Sequence, residues 1–372
     1  MTDIFTYLFY LSLMSFVFFT SFYLRNKKIK YKQFEFDIFY ILILLVLSFF
    51  IGFRFEVGVD WSGYVSIYHS ISSNSKFNYS QQFYELGFYS LNWLMGVFDL
   101  GYQGVFFIMA FISWYFYFKS VPKYIIPFFV FFLFSEEYFF WGMNGVRQFA
   151  AMGLWVFSVK FIVDRNFKLF LLLVCAASLF HSTSLLLIPF YFLPYDKLYN
   201  QFFWILIYGC SLILFIFIDL SIIFQNFELL FLSLSKNIGV IDRYVGYVDR
   251  GQITSQDVSL GYGFVFKLVV NLFIIVFSKN LIKWQPSLRP YIVLFFIGAI
   301  LFNVFYEVKL IGRLFSYFLI FRPLLLSYIV YYLYFIKRKR FISLLVMFLY
   351  IIVFLGSMYG NSNMCCPYQI SF

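Results

Sequence analysis

The sequence predicts an all-α, polytopic integral membrane protein. Three observations carry this. Of 372 residues, 63% are hydrophobic and only 12% are charged, with a mean hydropathy of +0.85. No water-soluble domain has enough interior to hide so much apolar side chain. Apolar runs near the ~20 residues that a bilayer requires recur along the whole chain, and short basic clusters punctuate them.

The runs fall at 4–24, 37–53, 104–118, 124–140, 146–163, 168–193, 201–220, 263–278, 290–306, 313–335 and 341–357. This predicts about eleven to twelve membrane segments in one membrane domain, residues 1–372. The first run has neither a basic leader nor a small-residue cleavage motif, so it reads as an uncleaved span. "RNKKIKYK" (25–32), "KSVPK" (119–123), "DRNFK" (164–168), "KNLIKWQPSLR" (279–289) and "KRKR" (337–340) should all face the cytoplasm. The N-terminus and the loops 54–103 and 221–262 then lie outside. One conflict follows. If 168–193 crossed once, "KRKR" would end up outside. It vanishes if 168–193 is a short helical hairpin turning at "FHSTS" (180–184), with His181 at its outward-facing tip. In "YELGFYSLNWLMGVFDL" (84–100), Glu85, Asn92, Gly96 and Asp99 fall on one narrow helical face. That suits an interfacial helix or a short span with one polar stripe.

The net charge of +11 is explained first by topology, so no nucleic-acid partner is expected. The four cysteines show no metal spacing, and no metal site is expected. The informative cations are those left on the outer side: Arg54, Lys76, Arg147, Lys236, Arg243, Arg250, Lys267, Lys309 and Arg313. A cation in the apolar zone costs about 2.5–3.5 kcal/mol, so such residues usually face a wet cavity. In "WGMNGVRQFAA", Asn144 reads as a helix N-cap with Arg147 in the first turn. Arg313 opens a span in the same way, with Tyr317 one turn on. Guanidinium and helix N-terminus both suit an anion, and guanidinium grips phosphate through two parallel hydrogen bonds. The competing reading pairs each arginine with a nearby carboxylate: Arg54 with Glu56 or Asp60, Arg243 with Asp242, Arg313 with Glu307. The loop segment "DRYVGYVDR" (242–250) interleaves rings and charges, as a sugar-contacting surface or as interfacial packing. His181, Asp60 and Glu85 are three candidate general bases, which residue chemistry alone does not rank.

Taken together, these residues resemble the EpsG-like branch of bacterial polysaccharide polymerases, which includes many Wzy-type O-antigen polymerases. The resemblance runs from about residue 50 to 320. It rests on Arg54, Gly58, Asp60 and Tyr64 in "FRFEVGVDWSGY", and Glu85 and Gly87 in "YELGF". It continues through Arg147 and Gln148 in "NGVRQFAA", and His181 and Ser184 in "LFHSTSLLLIPFY". Arg243 and Tyr244 in "DRYVGY", and Arg313 and Leu314 in "GRLFSYF", complete it. The resemblance implies transfer of a growing glycan from undecaprenyl pyrophosphate to the non-reducing end of a lipid-linked repeat unit. This would occur on the periplasmic face of the bacterial inner membrane, without a nucleotide or other cofactor. It implies a C-type glycosyltransferase-like helical architecture. A chain-length regulator and a flippase of the same pathway are the expected protein partners. Arg147, Arg313, Arg54, Arg243, Tyr244, Arg250 and Gln148 are the expected pyrophosphate or glycan contacts, and His181, with Asp60 or Glu85 as substitutes, the expected base. A lipid-linked oligosaccharide flippase, another outward-facing transferase or ligase, and a non-catalytic scaffold are the alternatives.

Overall fold

The computed structural model describes residues 4–25, 38–73, 76–79, 84–217, 262–305, 309–361 and 363–371. In chain order the helices are α1 (Ile4–Leu24), α2 (Ile38–Gly52), α3 (Trp61–Ser72), α4 (Leu86–Val97), α5 (Gly101–Ser120), α6 (Ile126–Ser135), α7 (Tyr138–Asn144), α8 (Val146–Val163) and α9 (Phe167–Ser178). A 3-10 helix, Ser182–Phe192, follows. Then come α10 (Tyr195–Leu198), α11 (Gln201–Phe217), α12 (Tyr262–Trp284), α13 (Arg289–Val304), α14 (Lys309–Leu319), α15 (Phe321–Tyr331) and α16 (Arg340–Gly360). No strand forms among the described residues; a lone antiparallel bridge joins Arg54 to Ile370. The protein is an all-α polytopic membrane protein, as its composition demands. Six of the described helices are long and apolar enough to cross a bilayer, or seven if one bent pair is counted as a span. Four shorter apolar helices accompany them.

The chain divides into two compact units, Met1–Leu193 with Leu326–Phe372, and Pro194–Leu325. In the first, α8 is the central element. It packs on α5 and α9 and is buried on almost every side. An all-round apolar helix of this kind belongs in the middle of a bundle.

Two elements differ from their expected form, and a third, α4, gains detail. The run 124–140 is broken: α6 and α7 meet at 66°. Two adjacent carboxylates sit at the break, and Glu137 takes a left-handed φ of 67°. Its Oε2 accepts from Asn363 Nδ2 at 2.9 Å, so a partner from the C-terminal segment holds the kink. In α4 the middle of the polar stripe turns inward, while Asp99 is exposed. Asn92 is buried and bonds Phe88 O at 2.8 Å. Gly96 packs so tightly that an added Cβ would sit 2.6 Å from Ser72 Cβ, while Leu94, Val97 and Phe98 are exposed. Small and polar residues let two helices approach closely in an apolar medium. Finally, Asn144 does not cap α8. The cap position is Gly145, and the Asn144 amide donates instead to Asn363 O at 3.0 Å.

The hairpin at 168–193 is present. Asn166 caps α9 through a 3.1 Å bond from Leu169 N. The chain turns at Leu179–His181 and returns as the 3-10 helix. The Phe167 ring lies 4.9 Å from Tyr191 and 5.3 Å from Phe192, so the two feet are side by side. At 1.5 Å per residue α9 is about 18 Å long, and the 3-10 leg about 22 Å. Neither covers a ~30 Å hydrocarbon core. The chain leaves this element at the end where it entered.

Candidate functional site

The site lies in the first unit, where the hairpin tip meets the starts of α4 and α8. Gly87 makes the junction close. The Gly87 and Phe88 amides both donate to Leu179 O, at 2.9 and 3.2 Å. A Cβ on Gly87 would sit 2.8 Å from that oxygen. Glu85, immediately before α4, is thereby aimed at two donors. Its Oε2 accepts from Arg147 Nη1 at 2.7 Å, and its Oε1 accepts from the Ser182 amide at 3.2 Å. The side chains of Arg147 and Glu85 are 26% and 15% exposed, so the pair is partly desolvated yet reachable. Arg147 is the second residue of α8, in its first turn as expected. Its guanidinium also lies 5.4 Å from the Phe88 ring and 5.8 Å from Tyr84, within cation–π range.

Beneath the pair, Tyr64 of α3 is buried in a cluster with Phe88, Phe106, Val146 and Ala150. Its hydroxyl is near enough to Arg147 to feel its charge. Burial pushes the phenol up; the Arg147 charge pulls it back, and Asp60 raises it further. Asp60 itself is exposed at the start of α3, and its carbonyl accepts from the Tyr64 amide at 3.1 Å. His181, next to Ser182, is half-buried in extended conformation. Its Nδ1 is hydrogen-bonded to Thr183 Oγ1 at 2.6 Å. Arg147, Glu85 and the His181 turn are thus brought together, with Asp60 close by. Gln148 is next to Arg147 in sequence but buried.

Arg54 is placed differently. It is fully buried, and its hydrogen bonds go to backbone carbonyls, not to Glu56 or Asp60. It donates to Val57 O at 3.2 Å, Ile51 O at 2.5 Å and Met143 O at 2.7 Å. Its guanidinium stacks 3.9 Å over Phe106. The C-terminal segment closes over it. Phe55 N donates to Gln369 O, Ser371 N to Phe53 O, and Gly58 N to Met364 O. Gly58 is required there by its φ of +101°. Burial lowers the Arg54 pKa to about 10, so it stays charged at neutral pH.

Arg313 belongs to the second unit, on α14, and is exposed. Arg243, Tyr244, Arg250 and the loop 221–261 lie outside the described residues, as does Glu307. Sequence reasoning passed over a buried polar cluster in this unit. Arg322 Nη1 bonds Asn271 Oδ1 at 3.4 Å, Asn303 Nδ2 bonds Ser211 Oγ at 2.8 Å, and Tyr208 bonds Leu268 O at 3.0 Å. Its signal was available: polar residues inside long apolar runs mark functional positions by default. It also passed over the Ser182 amide, which has no side-chain signature.

These features define an integral membrane protein with a cationic, partly exposed site at the start of a central helix. The model of the EpsG family matches residues 37–370, nearly the whole chain, and the protein belongs to that family. The family is related to the Wzy-like polymerases, which are glycosyltransferase-like membrane proteins. No curated protein and no solved structure gives a match.

Proposed function

We propose that the protein polymerises a bacterial surface polysaccharide. It takes a glycan from its undecaprenyl pyrophosphate carrier and adds it to the non-reducing end of a lipid-linked repeat unit, on the periplasmic face of the inner membrane. The observation that carries this reading is Arg147: a partly exposed guanidinium in a first helical turn, tied through Glu85 to the hairpin tip that bears His181. In the reaction the acceptor hydroxyl oxygen attacks the anomeric carbon of the donor sugar. The bond from that carbon to the pyrophosphate oxygen breaks, and its electron pair leaves with the lipid pyrophosphate. His181 takes the hydroxyl proton and returns it to solvent. Arg147 opposes the growing charge on the leaving group; a preorganised donor in such a place supplies about 2.7–4 kcal/mol. Arg313 and the arginines of the 221–262 loop are proposed to contact the second lipid-linked substrate or its glycan. A chain-length regulator and a flippase complete the pathway.

Transport of the same lipid-linked unit is the second reading. Arg322, buried within the apolar helices of the second unit, favours it, because a flippase needs cations along a path through the bilayer. One experiment separates the two. A deletion strain is complemented with wild type or with Arg147→Ala at equal expression, and its surface polysaccharide is run on a silver-stained gel. The polymerase reading predicts a ladder with wild type and a single-repeat band with the deletion and with Arg147→Ala. Loss of even the single repeat in the deletion would establish transport or ligation instead.

A further inference from the structure

We infer that Glu85 is a built-in stand-in for the substrate's pyrophosphate, and that substrate binding is an exchange of anions. This rests on the reading of Arg147 as the pyrophosphate residue. The Glu85 carboxylate occupies two convergent donors, Arg147 Nη1 at 2.7 Å and the Ser182 amide at 3.2 Å. Those donors are what a phosphate needs: one guanidinium edge and one amide at the start of a helix. The 3-10 helix of Ser182–Phe192 has eleven residues, so its first amide is a true helix-start donor. The guanidinium is not saturated by the carboxylate, since its Nε is buried and has no hydrogen-bond partner.

The exchange has a physical purpose. An empty site would leave a partly desolvated guanidinium without a counter-charge, which is costly. Glu85 neutralises it until the substrate arrives. The incoming pyrophosphate displaces the carboxylate from both donors and takes the Ser182 amide. Ser182 is the residue after His181, so occupancy of the anion site is felt directly at the turn that carries the base. Glu85 lies at the start of α4, outside the helix and with extended backbone (φ −63°, ψ 144°). It can swing aside without disturbing a helical turn.

The test is calorimetric binding of geranyl pyrophosphate to the full-length protein in lipid nanodiscs. Glu85→Gln should bind about tenfold tighter than wild type, because a charge-assisted competitor has been removed. Glu85→Asp keeps the charge but is one methylene short of Arg147, and should fall between the two. A mere change of net charge leaves Glu85→Asp at the wild-type value, and this conservative variant also covers a Glu85→Gln chain that does not fold. Adding Ser182→Pro to Glu85→Gln should weaken binding about tenfold, since proline suits the first helical position but has no N–H to donate. If Glu85→Gln and Glu85→Asp bind no tighter while Arg147→Gln abolishes binding, Glu85 is a brace; the exchange is wrong and the polymerase reading stands. If Arg147→Gln binds as wild type does, the pyrophosphate role of Arg147 fails, and the exchange with it.

Discussion

Replacing Arg54 distinguishes a structural arginine from a substrate-binding one. Arg54→Met keeps most of the side-chain volume and removes the donors. It leaves Ile51 O, Val57 O and Met143 O without the guanidinium bonds they now accept. Each orphaned carbonyl costs about 1–3 kcal/mol. Relief from burying a charge offsets part of this, and the contact with Phe106 keeps its apolar component. Three orphaned carbonyls less that relief leave a net cost of about 3–5 kcal/mol. Arg54→Lys should cost somewhat less: a compact ammonium has the charge but cannot fork to carbonyls on two separate segments. The assay is the thermal midpoint of the detergent-purified protein, followed by loss of the monodisperse peak on size exclusion. At about 2.1 cal/mol/K per residue the unfolding entropy is near 0.8 kcal/mol/K, so Arg54→Met should melt roughly 4–6 °C lower. An unchanged midpoint, with polymer lost, would refute the structural assignment and return Arg54 to the substrate.

Three further predictions follow from neighbouring contacts. Gly87→Ala places a Cβ 2.8 Å from Leu179 O and Cβ. It should cost about 1–3 kcal/mol by overpacking and shorten the polysaccharide ladder by parting the hairpin tip from Glu85. Tyr64→Phe removes the hydroxyl that interacts with the Arg147 charge; it should slow polymerisation about tenfold while moving the thermal midpoint by no more than a few degrees. The Cys365 thiol is buried, and burial pushes its pKa up to about 12. At pH 8.5 it should resist iodoacetamide in the folded protein and react once the chain is unfolded in detergent, read by peptide mass.

Much of this was legible in the sequence because charge is expensive in a bilayer. The hairpin followed from one misplaced cluster, "KRKR", and Arg147 stood out as a cation in a first helical turn. Glu85 was visible as a carboxylate in a chain with only 17 acidic residues. What could not be read was which partner each charge finds. Arg54 looked like a ligand-binding arginine beside Glu56 and Asp60, yet one of its acceptors is Met143 O, 89 positions away. Backbone acceptors leave no trace in residue type. The tail "NSNMCCPYQISF" had no pattern at all. Its role comes from main-chain bonds to residues 53–58 and from Tyr368, whose ring stacks 4.1 Å from Phe9. The stripe on α4 shows a related limit. Period alone says which residues share a face, not whether that face meets water or another helix.

The most direct test of the central claim is reconstitution. The purified protein in proteoliposomes is given an undecaprenyl-pyrophosphate-linked repeat unit and no nucleotide, and the products are separated by mass. The account predicts lipid-linked dimers, trimers and longer chains, with one free undecaprenyl pyrophosphate released per bond formed, and none of these with Arg147→Gln. A wild-type protein that leaves every repeat unit single, or an Arg147→Gln variant that extends them at the wild-type rate, would contradict it.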